Sequence, residues 1–142
     1  MYAMLKTTAI IEIPTGIALL AVPAWLAATL LGAPLDTSPG LALARLAGAA
    51  ILSLGVACWV GSGDARSRAT IGLVAAMLLY NLVAVVVLVS ARFHLGLIGM
   101  GLMPVAAMHA GLAVWCMACL RVACSHGDHP GVNAQPHGGA TG

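Results

Sequence analysis

The stretch ATIGLVAAMLLYNLVAVVVLVSA, residues 69–91, lies between Arg68 and Arg92 and contains no Asp, Glu, Lys or Arg. A helix needs about 20 mainly apolar residues to cross the hydrocarbon core of a bilayer. This run is long enough, and it places one amide, Asn81, near its middle beside Tyr80. Three more uncharged gaps surround it: Glu12 to Asp36, Arg45 to Asp64, and Arg92 to Arg121. Four such runs make the chain an integral membrane protein, all-α, with the helices gathered in a bundle.

Composition points the same way. Of 142 residues, 61% are hydrophobic and 7% charged, with a mean hydropathy of +1.03, whereas soluble domains carry about 25% charge. Little chain is left for a soluble domain, so residues 1–122 read as one four-helix transmembrane domain. The net charge of +2 is too small to imply a nucleic acid or an acidic partner. Arg outnumbers Lys and Ala is abundant, a usage that fits a GC-rich bacterial genome. The first apolar run resembles a secretory signal poorly. Glu12 interrupts its start and it continues to Leu31, beyond the about 7–15 residues of such a segment, and it is expected to be a retained helix.

The expected helices span about residues 8–31, 41–60, 69–90 and 95–120. Gly32-Ala33-Pro34 stops the first, a loop at residues 36–40 leads to the second, and residues 61–68 form a polar turn. Short links favour antiparallel neighbours and an up-down-up-down bundle. Basic flanking residues tend to stay in the cytoplasm. Lys6, Arg66, Arg68 and Arg121 then lie inside, Arg92 outside and Arg45 near the outer end of its helix, with both termini cytoplasmic. No repeat relates the first two helices to the last two, which weakens the case for an inverted-repeat transporter. Pro14, Pro23 and Pro104 are expected to bend their helices. Gly48 and Gly55, with Ala107 and Gly111, offer small surfaces for close helix approach.

Each helix carries a polar group that lipid would reject: Glu12, Arg45, Asn81 with Tyr80, and His109. A charge at the membrane centre costs at least about 2.5–3.5 kcal/mol on insertion scales, so such groups usually face the interior and find partners. Depth along the expected helices places Arg45 and Asn81 in the outer half, and Glu12 and His109 in the inner half. The expected pairs are therefore Arg45 with Asn81 or the Tyr80 hydroxyl, and Glu12 with His109, with no Glu12–Arg45 salt bridge. Each group also has an ordinary explanation. Arg45 and Glu12 can reach the nearer surface, Asn81 can join helices, and His109 can be a neutral core histidine bonded to a carbonyl.

These residues allow three functional readings. A proton relay would use Glu12 and His109 but would find only Tyr80 in the outer half. A pocket for a quinone, lipid or other apolar ligand would need just a few polar groups in apolar walls, and His109, Asn81 and Tyr80 could supply them. A haem held by two histidines is disfavoured, because His94 and His109 share one expected helix at different depths. No cofactor is implied.

Cys58, Cys116, Cys119 and Cys124 would sit near the cytoplasmic face, where thiols stay reduced. Cys116-x-x-Cys119 has a metal or redox spacing but lies within an apolar helix, without the turn that lets thiolates converge. The cysteines are expected to be small buried residues. Residues 123–142 read as a flexible His/Gly-rich cytoplasmic tail. His126, His129 and His137 could bind a divalent ion only weakly, so no metal site is assigned.

Glu12-x-x-x-Gly16, Leu31-Gly32-Ala33, Arg45-Leu46-Ala47-Gly48, Tyr80-Asn81, and Pro104 with His109 follow one another along the four helices. In this order the chain resembles a group of uncharacterised small four-helix proteins of bacterial inner membranes. The resemblance covers residues 1–120 and implies a fold but no activity. The expectation is a multi-pass inner-membrane protein without its own catalysis. It would act as a homo-oligomer or as an accessory subunit of a larger membrane complex, with a ligand pocket or a proton or small-solute path as the alternatives.

Overall fold

The computed structural model describes residues 1–64 and 67–125, and every regular element among them is helical: α1 (Tyr2–Ala21), α2 (Pro23–Leu31), α3 (Ser38–Gly61), a short 3-10 turn (Ser62–Asp64), α4 (Arg68–Phe93) and α5 (Leu102–Ser125). Four stretches are long and apolar enough to cross a membrane: Tyr2–Ala21, Ser38–Asp64, Arg68–Phe93 and Leu102–Ala123. Large apolar side chains such as Trp25, Leu46, Val60, Leu79, Val86 and Phe93 are exposed, an apolar exterior that suits lipid rather than water. Arg66, the Cys124 side chain, and His126, His129 and His137 of the tail lie outside the described residues.

The helix boundaries differ from the sequence expectation at several points, and the starts of α1 and α5 change the depth of a polar residue. The expected first helix is two. Pro23 has no N–H to donate and disfavours helical backbone in the residue before it, and Val22 accordingly sits at φ −134°, ψ 54° between α1 and α2. Because α1 starts at Tyr2, Glu12 lies ten residues inside it, about 15 Å from the helix start rather than one turn. Pro14, by contrast, is carried inside α1 without interrupting it.

α3 begins at Ser38, because the Thr37 hydroxyl accepts from the Gly40 N–H at 3.3 Å and Pro39 suits the first turn. α5 starts at Leu102, seven residues later than expected. Gly96, at φ 68°, closes α4, with the Leu97 N–H bonded back to the Ala91 carbonyl at 3.1 Å. The segment 95–101 then docks on the end of α2, where the Gly99 N–H donates to the Leu31 carbonyl at 3.1 Å. A Cβ at Gly99 would run into the Leu30 carbonyl, so only glycine allows this docking. Pro104 falls in the first turn of α5, where the missing N–H leaves no bond broken, so the expected bend has no cause there.

The helices associate as two pairs, α1 along α3 and α4 along α5, with fewer contacts between the pairs. α1 and α3 are antiparallel and close. A Cβ at Gly16 would meet Leu52 N at 2.6 Å and Gly48 O at 2.7 Å, and one at Gly48 would meet Leu19 Cβ at 2.8 Å. Gly48 thus serves a close approach as expected. Gly111 instead faces open space and Ala107 is exposed, so that pair joins no helices among the described residues. Near the start of α1, all four long helices meet in one core of Met4, Leu5, Ala9, Cys58, Val74, Met77 and Cys116. Thr8 and Cys116 both turn toward the Met4 sulfur, at 3.6 and 3.7 Å.

Candidate functional site

Beyond that core the two pairs separate around a cleft of about 730 Å³, lined by parts of all five helices. α1 contributes Ile11, Glu12, Thr15 and Leu19, α2 contributes Leu26, Ala27, Leu30 and Leu31, α3 contributes Leu43, Ala44 and Ile51, α4 contributes Tyr80, Ala84, Val87 and Leu88, and α5 contributes Val105, Met108 and His109. The walls are mostly aliphatic. The Thr15 hydroxyl is already bonded to the Ile11 carbonyl at 2.7 Å, which leaves Glu12, Tyr80 and His109 as the polar groups offered to the cleft.

Glu12 is 2% exposed, and its Oε1 has no hydrogen-bond partner among the described residues. Gly55 makes room for it: a Cβ there would meet Glu12 Cβ at 3.1 Å and Ile13 N at 3.0 Å. Burying a carboxyl without a partner is expensive; Glu12 is among the residues that line the cleft, with its Oε1 closed off from it.

On the opposite pair, Asn81 and His109 form one unit. The Asn81 Nδ2 donates to the Met77 carbonyl at 2.7 Å, and the Asn81 Oδ1 lies 2.7 Å from His109 Nδ1. Asn81 is fully buried behind the imidazole. Tyr80 meets the same ring edge-on, with centroids 5.6 Å apart and planes at 82°.

This geometry revises the expected pairing. Asn81 binds His109 and not Arg45, because the late start of α5 moves His109 about 10 Å outward relative to a helix that began at residue 95. Glu12 and His109 share the cleft but do not hydrogen-bond each other, and Glu12 makes no ion pair with Arg45. Arg45 is exposed, away from the cleft. Four of the five intramembrane candidates, Glu12, Tyr80, Asn81 and His109, therefore come together, and Arg45 stands apart.

The α2 wall, with Leu26, Ala27, Leu30 and Leu31, had no counterpart in the sequence reading. Its signal was the Val22-Pro23 step, which divides the run into two helices that need not share an axis. Cys58 and Cys116 are buried and Cys119 is partly exposed, and none of the three is joined in a disulfide. No cluster of three metal-competent side chains occurs among the described residues. Comparison with protein families, with curated proteins and with solved structures returned no match to this chain, so the site is interpreted from its own geometry.

Proposed function

We propose that this protein binds an apolar or amphiphilic small molecule within the membrane, in the cleft between the α1–α3 and α4–α5 pairs, without catalysis of its own. The observation that carries the reading is Glu12: a residue 2% exposed, whose Oε1 has no partner among the described residues, in the lining of a cleft of about 730 Å³. Ligand pockets typically measure about 300–1,000 Å³ and combine apolar walls with a few convergent polar groups. Glu12, Tyr80 and His109 are such a group, and they leave most of the cleft for a hydrocarbon tail.

The surrounding membrane reading is an up-down-up-down bundle in a bacterial inner membrane, with both termini in the cytoplasm. Lys6 lies 3.3 Å from the Trp59 ring centroid, which places it at the α3 end that leads toward Arg68. Arg92 lies at the far end of α4. That distribution agrees with basic residues held on the cytoplasmic side. A second reading, a homo-oligomer or accessory subunit, draws on the exposed Ala107 and Gly111, small residues that no described helix covers.

Native mass spectrometry of the protein extracted from its own membrane in mild detergent tests both. A reproducible added mass of small-molecule size, lost on Glu12→Leu while the fold is kept, is the expected result. Bare monomers count against the ligand, and dimers or a second polypeptide without added mass favour the assembly reading.

A further inference from the structure

The ligand's polar group can be specified further, given the pocket reading above. The Met77 carbonyl can only accept, so the Asn81 amide must turn its NH₂ toward it and its Oδ1 toward His109. An amide oxygen also only accepts, so the proton of that 2.7 Å contact belongs to His109 Nδ1. Among the described residues no carboxylate is bonded to the ring to hold a second proton on it. The remaining nitrogen, Nε2, is then a bare lone pair with no hydrogen bond to any described residue, on a ring that belongs to the cleft lining. The bond that one ring nitrogen makes sets which of the two is free.

We propose that the cleft recognises a lipophilic molecule carrying a hydroxyl head, which donates its O–H to His109 Nε2. A hydroxyl is the group whose chemistry suits His109 and Tyr80, whose rings meet in the cleft lining. It donates to the imidazole lone pair, and its oxygen can accept from the Tyr80 hydroxyl. A carbonyl head without an O–H leaves Nε2 unsatisfied, and leaving a buried polar group unpaired is the strongest basis for rejecting a near-identical ligand. His109 is 7% exposed and Glu12 2%, so bulk water competes little for either.

The test compares two probes that differ by one donor, a long-chain 4-alkylphenol and its methyl ether, binding to the full-length protein in one detergent. The phenol is expected to bind at least about tenfold tighter, as one buried hydrogen bond warrants. His109→Asn keeps an N–H donor near Asn81 but removes the group at the Nε2 position, and should bring the phenol-to-ether ratio close to one. In ¹⁵N-histidine spectra His109 should show a protonated Nδ1 and a bare Nε2, with the Nε2 signal moving when the phenol is added and not when the ether is. Equal binding of the two probes to the unaltered protein, or an Nε2–H in the free protein, overturns the hydroxyl assignment and leaves the pocket intact. If neither probe binds, both this assignment and the pocket are overturned.

Discussion

The same helices behave differently at the two ends of the molecule. Toward the start of α1, Met4, Leu5, Ala9, Cys58, Val74, Met77 and Cys116 fill the space between the pairs. Toward α2 the pairs part around about 730 Å³. Side-chain size alone does not explain the contrast, since Leu and Val line the cleft as well as the core. The backbone does: Pro23 interrupts the first helix, α2 takes its own course, and the segment 95–101 docks on its end through Gly99. The polar residues fall where the packed end gives way to the open one. Asn81 is fully buried, while His109, Glu12 and Tyr80 face the cleft.

If the packed end holds the bundle together, the largest losses of stability should come from it. Met77→Ala should cost about 2–5 kcal/mol, the range for large-to-small changes in a filled core, read by reversible unfolding in mixed detergents. Met77 is fully buried, and its carbonyl, which orients Asn81, is kept by the substitution. A loss below about 1 kcal/mol would mean that this end is looser than its contacts imply, and the contrast would fail.

Next come the glycines of the α1–α3 contact. Gly16→Ala puts a methyl group 2.6–2.8 Å from backbone atoms of Leu52 and Gly48, which cannot turn aside as a side chain could. About 1–3 kcal/mol should be lost. Gly111→Ala, where a Cβ meets nothing within 4 Å, should be neutral or gain up to about 1 kcal/mol from helix propensity. The sign difference between two chemically identical changes isolates helix approach from everything else.

Asn81→Leu should cost less, about 0.6–1.7 kcal/mol, as interhelical hydrogen bonds in membranes do. Its more informative effect is on the histidine. Without the Asn81 oxygen nothing selects Nδ1 as the protonated nitrogen, so ¹⁵N spectra should show His109 as a mixture of tautomers. An unchanged single tautomer would mean that another group orients the ring.

Much of this was legible before the structure. Uncharged runs between Arg68 and Arg92 and in three other gaps are enough to identify spanning helices, because burying charge in hydrocarbon is costly. Glu12, Tyr80, Asn81 and His109 were legible as the interior polar set for the same reason. Their partners were not, because depth depends on where each helix starts. Thr37, Gly96 and Gly99 set two of those starts through backbone geometry that hydropathy does not register. The cleft was also hidden, since a proline inside an apolar run reads equally as a bend or a break. In α1 Pro14 is carried within the helix, whereas Pro23 ends it.

The smallest change in stability should come from the open end, and it is the sharpest test of the contrast. Ala9 and Ala84 are both helical alanines: Ala9 is fully buried in the core, while Ala84 lies on the cleft wall. Helix propensity treats the two Ala→Leu changes alike, so any difference is one of space. Ala9→Leu must displace Met4, Leu5 or their neighbours and should cost about 1–3 kcal/mol. Ala84→Leu enters a volume already present and should stay within about 0.5 kcal/mol, as changes away from close packing do. It should nevertheless reduce any co-purified small molecule, because the new side chain takes up the ligand's room. Equal destabilisation by the two would mean that in lipid the pairs close on each other and leave no cleft. A silent Ala84→Leu that leaves the bound mass unchanged would keep the cleft but move the ligand out of it.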